Sequence, residues 1–291
     1  MKGLWSRGGL SWRELIARTA RESWEDNVFG QAARLAFYHL LALFPSLLLL
    51  FLISRPDSAP ESSLRDALVD AVRHLLPARV ALLISQAVAD LHTSAGQPGG
   101  IWIAIAGALW ASVNGAWALI DGLNVAYEVE ESRSFFRTTV IALGLTAVIA
   151  VLTFLALTTS HYAGGWMDGA GYPVLASILR WAIVAAALLV CFSIFFRAAP
   201  NLENRQWRWS TPGAVWAAVI WVGSTLVFRF WTDHFGSYPR IYGRIAPTVS
   251  LLIWLYVTGA AVLIGGEMNS EIEKAEAEGG HDHEVKRAKT R

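Results

Sequence analysis

The chain has 291 residues, of which 54% are hydrophobic and only 16% are charged. Soluble domains carry about 25% charged residues, so this composition favours an integral membrane protein. The formal net charge of +1 argues against nucleic-acid binding, which needs a concentrated basic surface. The single cysteine, Cys191, rules out an internal disulfide framework and a cysteine-cluster metal site. We expect no bound metal and no cofactor.

The first thirty residues are polar and basic, and we expect them to form a cytoplasmic amphipathic lead-in. Ser11 and Glu14 have the spacing of a helix capping box. Trp12, Leu15 and Ile16 then share one face of the helix that would follow. Two interpretations stay open. The segment is a short helix on the membrane surface with its arginines toward anionic lipid, or a soluble lead-in.

Six apolar runs follow, each long enough to cross about 30 Å of hydrocarbon as a helix. Long continuous runs predict helices, because the strands of membrane barrels alternate apolar and polar residues. The sequence therefore predicts an all-α integral membrane protein, a bundle of six transmembrane helices within a membrane domain at 31–273. The predicted spans lie near 31–53, 101–121, 138–159, 174–196, 213–231 and 248–268.

Two further segments are amphipathic but too short to span. Residues 64–92 contain two such stretches separated by Pro77, which predict an extracytoplasmic helical hairpin on the membrane or over the bundle. A re-entrant pair is the alternative. Residues 274–291 are highly charged and predict a flexible cytoplasmic tail.

The orientation follows from the basic residues. Most of the 24 lysines and arginines fall in segments on the same side as the N-terminus, and the side rich in Lys and Arg is normally cytoplasmic. We expect both termini in the cytoplasm and the protein in the bacterial cytoplasmic (inner) membrane.

Several polar residues fall at one depth, near the cytoplasmic ends of the first, second and sixth spans. A charge at this depth is costly unless it is paired. Our hypothesis is that Arg34 pairs with Glu267 or Asp121 and ties these three spans together. Whether the group forms a static clamp or a moving gate, or whether its side chains extend to the interface, stays open. The inner polar cluster comprises Arg34, Asp121, Asn124, Glu267 and Asn269.

Other polar residues lie deeper in the membrane or near its outer side. His39 and Asn114 fall at mid-membrane positions, where an interhelical hydrogen bond is a commoner role than a ligand or a proton relay. Near the outer side, arginines could hold anionic lipid headgroups or an anionic substrate, or could pair with Asp233 or Asp168. The outer candidates are Arg180, Arg229, Arg240 and Arg244.

The sequence lacks the common catalytic motifs. It has no phosphate-binding glycine loop, no HExxH and no Cys/His cluster. A nuclease would need water-exposed carboxylates or histidines beside a basic groove, and the pattern shows no such group. We expect that the protein is not an enzyme.

Three blocks of sequence stand out: AARLAFYHLLALFPSLLLL (Ala32–Leu50), GALWASVNGAWALIDGLNVAYEVEESRSFFR (Gly107–Arg137) and PNLENRQWRWSTPGA (Pro200–Ala214), the last followed by FGSY, WLY and GGEMN. Together they resemble the YihY/BrkB family of bacterial inner-membrane proteins. The resemblance runs from about Arg21 to Glu273. It implies a six-helix membrane protein without an established biochemical activity. Some members are linked to serum resistance and virulence, others to export of envelope lipid or lipopolysaccharide. An older label for the family, ribonuclease BN, is not supported by these residues.

Together these features predict translocation, or assisted export, of an anionic or amphiphilic, lipid-like envelope molecule. The predicted route is a polar path between the first, second and sixth spans. The expected partners are membrane lipids and such a substrate, without nucleic acid. The alternative is a membrane scaffold that organises envelope complexes and transports nothing.

Overall fold

The computed structural model describes residues 9–53, 100–202, 212–234 and 245–289. Every regular element in these ranges is a helix, which confirms the all-α class. The helices are α1 (Trp12–Glu25), α2 (Val28–Ile53), α3 (Gly100–Ala126), α4 (Phe135–Gly169), α5 (Pro173–Ala198), α6 (Pro212–His234) and α7 (Ala246–Lys289).

Four of these helices contain a segment that is long and apolar enough to cross a membrane: Phe135–Ala156, Pro173–Ala198, Pro212–Trp231 and Thr248–Glu278. They match the last four predicted spans. Helices α2 and α3 lie where the first two spans were predicted. The chain is thus a helical membrane protein, and the count of six spans stays a prediction.

Several helices extend past the predicted ends of their spans. Helix α3 continues to Ala126 and α4 to Gly169, so the loop expected after residue 159 is largely helical. Helix α7 continues to Lys289, through residues for which we predicted a flexible tail. The first part of that tail is packed, because Ala275 is buried. The predicted hairpin at 64–92 lies outside the described residues.

The six long helices are arranged as a ring in chain order. Each of α2 to α6 contacts the next helix along the chain, and α7 contacts α2 and so closes the ring. Helix α7 also contacts α3 and α1. Buried apolar side chains from all six helices form the core, including Leu35, Leu119, Leu123, Leu145, Phe196, Ala217 and Leu263.

Glycines allow the closest helix contacts in the ring. A Cβ on Gly213 of α6 would lie 2.0 Å from the carbonyl oxygen of Gly265 in α7. A Cβ on Gly265 would lie 2.9 Å from the ring of Phe196, and one on Gly266 would lie 2.6 Å from Leu123. Small residues of this kind let helix backbones approach closely in membranes. The glycine pair therefore brings α7 against α3, α5 and α6 at one level.

Helix α1 begins as the capping box predicts, with Ser11 Oγ accepting a hydrogen bond from the Glu14 amide at 3.2 Å. Its buried Leu15 packs against Met268 and Ile272 of α7, whereas Ile16 is exposed. The predicted apolar face is therefore divided between α7 and the surroundings. Helix α1 ends at the cap residue Asp26. Asn27 then takes a positive φ of 51°, and α2 starts at the next residue.

Candidate functional site

The described polar side chains concentrate at one end of the ring, which we call the Glu267 end. It contains the start of α2, the end of α3, the α3–α4 loop, the end of α5, the start of α6, and Glu267 on α7. The opposite end, which we call the Arg180 end, contains the end of α4 and the start of α5. The two names carry no assumption about orientation in the membrane.

Arg34 and Asp121 form an ion pair between α2 and α3. The Arg34 Nη2 atom donates to Asp121 Oδ2 at 2.9 Å and to the Ala118 carbonyl at 3.3 Å. This is one of the two pairings predicted for Arg34. Both side chains remain partly accessible, at 40% for Arg34 and 43% for Asp121. The pair therefore lies on the flank of the ring and not in its centre.

Glu267 is separated from that pair. Its residue is 0% exposed, and its carboxyl group contacts the carboxyl of Asp26 at the end of α1. Among the described residues Arg34 pairs with Asp121 and not with Glu267, so the predicted ion pair joins α2 to α3 and does not extend to α7. Gly259 of α7 meets the backbone of Ala32 directly, with a hypothetical Cβ 3.2 Å from its carbonyl oxygen, so packed backbone fills the α2–α7 contact.

Asn269, also in the predicted inner cluster, fixes the start of α6. Its Oδ1 accepts a hydrogen bond from the Gly213 amide at 2.9 Å, an N-terminal amide that the helix itself leaves unpaired. The Asn269 side chain also bonds the hydroxyl of the buried Tyr127. Burial raises the pKa of Tyr127 far above its ordinary value, so this hydroxyl stays protonated.

Asn124 belongs to a second network that holds the α3–α4 loop. Its Nδ2 donates to Glu131 Oε2 at 3.0 Å, and its Oδ1 accepts from the Asn201 amide at 2.8 Å. Arg133 binds both oxygens of Glu131, at 2.7 and 2.5 Å, and its Nη2 donates to the Ala199 carbonyl at 2.7 Å. Hydrogen bonds from Arg133 lower the pKa of Glu131 to about 2.

The conformation of the chain after α3 explains this network. Glu128 has a positive φ of 51°. Its amide donates to the Val125 carbonyl, and the Val129 amide donates to the Asn124 carbonyl, the pattern of a Schellman cap. The reversal directs the loop back under the ring, so that Arg133 reaches the end of α5. The Glu128 carboxylate also binds Lys274 of α7 at 2.8 Å.

The mid-membrane residues bond to their own helices. His39 Nδ1 lies 2.7 Å from the Leu35 carbonyl, and Asn114 Nδ2 donates to the Trp110 carbonyl at 2.7 Å. Each bond joins a residue to the one four positions earlier, so the expected interhelical hydrogen bonds are not the ones these groups make. The His39 ring does face α3, where a Cβ on Gly115 would lie 3.9 Å from it.

At the Arg180 end, Arg180 Nη2 donates to Asp168 Oδ2 at 2.5 Å and joins α5 to α4. This is the pairing that we set against anion binding. The Nε atom of Arg180 is buried without a hydrogen-bond partner among the described residues. Arg229 lies near the end of α6 and is partly exposed. Arg240 and Arg244, and the side chain of Asp233, lie outside the described part of the chain.

The sequence analysis did not single out Asp26, Tyr127, Glu131 or Arg133 as site residues. A charged residue in a loop ordinarily faces water, and depth in the membrane does not show which helix faces which. Arg133 gave one usable signal, because Glu131 stands two residues before it in a loop between two apolar runs. No signal in the sequence indicated Asp26 as the partner of Glu267.

Comparison with known proteins identifies the family. The chain is 32% identical over 253 residues to the ribonuclease-like protein YfkH of Bacillus subtilis (strain 168), covering 84% of this chain and 90% of that protein. It is 28% identical over 255 residues to a UPF0761 membrane protein of Stenotrophomonas maltophilia (strain K279a), covering 85% of this chain and 58% of that protein. A third relative, a UPF0761 membrane protein of Alteromonas mediterranea, is 25% identical over 272 residues and matched over 89% of its length.

No solved structure matches the chain. The chain spans little more than half the length of the Stenotrophomonas relative, at 58%, so that whole protein's partners cannot be assigned to it directly. A family model described as Virulence factor BrkB matches residues 19–289, nearly the whole chain, and confirms the resemblance seen in the sequence. This membrane protein belongs to the BrkB family.

Proposed function

We propose that the protein translocates, or assists the export of, an anionic or amphiphilic, lipid-like envelope molecule. The proposal places it in the bacterial cytoplasmic membrane with six spans and both termini in the cytoplasm. It assigns the protein no enzymatic activity. The protein recognises the substrate by its negatively charged group, and the apolar flank of the helices contacts the rest of the substrate.

The observation that carries the proposal is the exposure of the Arg34–Asp121 pair. Charged residues on membrane helices normally face the bundle interior or a water-filled space. This pair has 40% and 43% of its side chains exposed, although α2 and α3 are predominantly apolar helices. A guanidinium that is paired yet accessible can exchange its carboxylate for an anionic headgroup. The flank between α2 and α3 therefore suits a polar headgroup whose acyl chains remain in lipid.

Arg180 supplies a second basic group at the opposite end. Its side chain is 14% exposed and bound to a carboxylate that is 40% exposed. Its Nε atom is buried, so an anionic group would bind through the Nη2 atom that Asp168 now holds. Guanidinium groups match carboxylate and phosphate oxygens in bidentate geometry. Arg34, between α2 and α3, and Arg180, between α4 and α5, would then each supply a basic group to a substrate route, at opposite ends of the ring.

This route runs along the flank of the ring. We predicted from the sequence a path between the first, second and sixth spans, but backbone contact between Gly259 and Ala32 fills that position. The contacts of Gly265 with Phe196 and of Gly266 with Leu123 likewise pack α7 against α5 and α3 across the ring at the Glu267 end. A substrate with two acyl chains fits a lipid-facing groove better than a packed centre.

A transbilayer transport assay would test the proposal. The purified protein is reconstituted in liposomes that contain a fluorescent anionic phospholipid, and dithionite quenching reports probe that reaches the outer leaflet. We expect movement that protein-free liposomes lack. Replacing Arg34 by Gln should slow it about tenfold, the effect of losing about 1.4 kcal/mol of headgroup binding.

Two controls sharpen this test. Arg21→Gln removes an exposed ion pair on α1 and should leave the rate unchanged. The exchange Arg34→Asp with Asp121→Arg keeps the ion pair but moves the cation. If the exchanged protein folds normally and transports at the wild-type rate, the pair is only a clamp. Equal rates with and without protein would contradict transport.

The alternative, a membrane scaffold for envelope complexes, has one observation in its favour. The Glu267 end is packed at backbone distance and cross-linked by buried hydrogen bonds, which suits a rigid support. A protein that moves no lipid probe, yet forms a defined complex with another envelope protein in native mass spectrometry, would support it.

A further inference from the structure

Glu267 is an unusual carboxyl group for its position. It lies one residue beyond the glycine pair of α7, and it is 0% exposed. Neither of its oxygens accepts a hydrogen bond from a donor of the described residues. An ionised carboxylate that is removed from water without a donor or a cation costs several kcal/mol. The buried group therefore needs another source of stabilisation.

The group that faces it is a second carboxyl. Asp26, the cap residue of α1, lies in hydrogen-bonding contact with Glu267. Two ionised carboxylates are both acceptors, so they cannot form that hydrogen bond. A proton between them supplies the missing donor and removes one of two adjacent negative charges, as in other carboxyl pairs that share a site. One proton therefore satisfies both the contact and the burial.

The nearest described cation does not replace this proton. Lys274 lies two turns along α7 and binds Glu128 at 2.8 Å and Glu271 at 2.9 Å. Two carboxylates already balance its single charge. The remaining carboxyl groups that face the pair oppose a second negative charge: Glu22 and Glu25 on α1, and Glu128 after α3. The nearby Tyr127 hydroxyl is neutral and bonds Asn269.

Asp26 lies where water can reach the pair. It is partly exposed, while Glu267 is enclosed, so protons enter and leave through Asp26. Burial and the negative charge of Glu128 raise the pKa of Asp26 above its ordinary value. The turn that presents Asp26 includes Asn27, whose side chain packs directly on Gly30.

From this geometry we propose that Asp26 and Glu267 form a proton-binding site, in which one proton shared by the two carboxyls joins the α1–α2 turn to α7. The site lies apart from the Arg34–Asp121 flank, and it does not depend on which molecule the protein moves. It gives the Glu267 end a group that responds to the proton concentration on its side of the membrane.

Infrared spectroscopy of the purified full-length protein in lipid nanodiscs would test the site. A protonated carboxyl has a C=O stretching band that an ionised carboxylate lacks. We expect one such band at neutral pH in the wild type and its loss in Glu267→Gln. In Asp26→Asn the same band should vanish at a proton concentration at least about tenfold higher than in the wild type, because the neighbouring negative charge is gone.

Glu271 provides the matched control. It lies one turn further along α7 and is 4% exposed, but unlike Glu267 it has a cationic partner, Lys274, at 2.9 Å. Glu271→Gln is expected to leave the band in place. Absence of the band from the wild type at neutral pH would overturn the proposal, and so would a band that survives in Glu267→Gln. If Glu267→Gln does not fold, the wild-type and Asp26→Asn titrations still decide the question. Failure of lipid transport alone would leave this result unaffected.

Discussion

The two ends of the ring differ sharply in how their helices are joined. At the Glu267 end, Gly213 and Gly265 bring two backbones into contact, and Arg133, only 2% exposed, binds a carboxylate and two carbonyl groups. At the Arg180 end, a Cβ on Gly165 or Gly169 would meet nothing within 4 Å. The described parts of these helices are thus joined by backbone contact and buried hydrogen bonds at the Glu267 end and by a partly exposed ion pair at the Arg180 end.

This difference has a physical origin in the side chains available at each end. Hydrocarbon gives apolar helices no hydrophobic reason to associate, so close packing and hydrogen bonds must hold them together. Both occur at the Glu267 end. The Arg180 end has aromatic side chains that point outward, with Trp166, Tyr162 and Tyr172 all exposed, and one described ion pair between α4 and α5.

The largest effect on stability is expected from a substitution at the Glu267 end. Gly213→Ala places a methyl group 2.0 Å from the Gly265 carbonyl oxygen, so α6 and α7 must move apart and the bond to Asn269 is lost. We expect a cost of about 3 kcal/mol or more, at the upper end of overpacking effects. Thermal unfolding in detergent, followed by size-exclusion chromatography, measures it.

Gly223 on the same helix is the control for this change, because a Cβ there meets nothing within 4 Å. Gly223→Ala should leave stability unchanged or raise it slightly through helix propensity. Equal losses in the two variants would show that the glycine contact does not fix the Glu267 end.

A smaller effect is expected at the loop network. Arg133→Ala removes the guanidinium that binds Glu131 and the Ala199 carbonyl, whereas Asn124 still donates to Glu131. Breaking a buried pair costs about 3–5 kcal/mol. Because Glu131 is partly exposed, we expect about 2 kcal/mol. Arg21→Ala, which breaks an exposed pair on α1, should change nothing measurable.

The pH dependence identifies the cause of that loss. The folded protein lowers the pKa of Glu131 from 4.5 to about 2, so this pair stabilises the fold above pH 4.5 and its contribution disappears as the pH falls toward 2. Arg133→Ala should remove this component of the acid sensitivity. If Arg133→Ala lost as much stability between pH 4.5 and 2 as the wild type does, a group other than the Glu131–Arg133 pair would cause that loss.

The smallest effect on stability is expected at the Arg180 end. Asp168→Asn removes the charge that binds Arg180, but Asp168 is 40% exposed, and exposed ion pairs contribute about 0–1 kcal/mol. We expect a loss below about 1 kcal/mol in the same unfolding assay. A loss as large as that of Arg133→Ala would mean that both ends are equally fixed.

Some of these features could be predicted from the sequence because they depend on local pattern. Apolar length located the long helices, and the Ser11–Glu14 spacing predicted the start of α1. The pairing of Arg180 with Asp168 followed from two charges near the same predicted interface. Each of these relations needs only distance along the chain or depth in the membrane.

The rest depended on rotation about the helix axes and on irregular backbone. Depth placed Arg34, Asp121 and Glu267 at one level, but their separation around the ring depends on which face of α7 meets α2. Gly259 sets that face by its contact with Ala32. Arg133 is buried because Glu128 takes a positive φ, which the sequence does not indicate, since glycine is the usual residue there.

The position of α7 in chain order also has a consequence for biosynthesis. This helix contacts α1, α2, α3 and α6, all of which leave the ribosome before it does. During insertion into the membrane the ring stays open, and the faces of α2 and α6 that α7 will cover remain in contact with lipid. The ring can therefore close only after α7 has been synthesised. If synthesis stops before Ala246, quality-control proteases would meet an open ring.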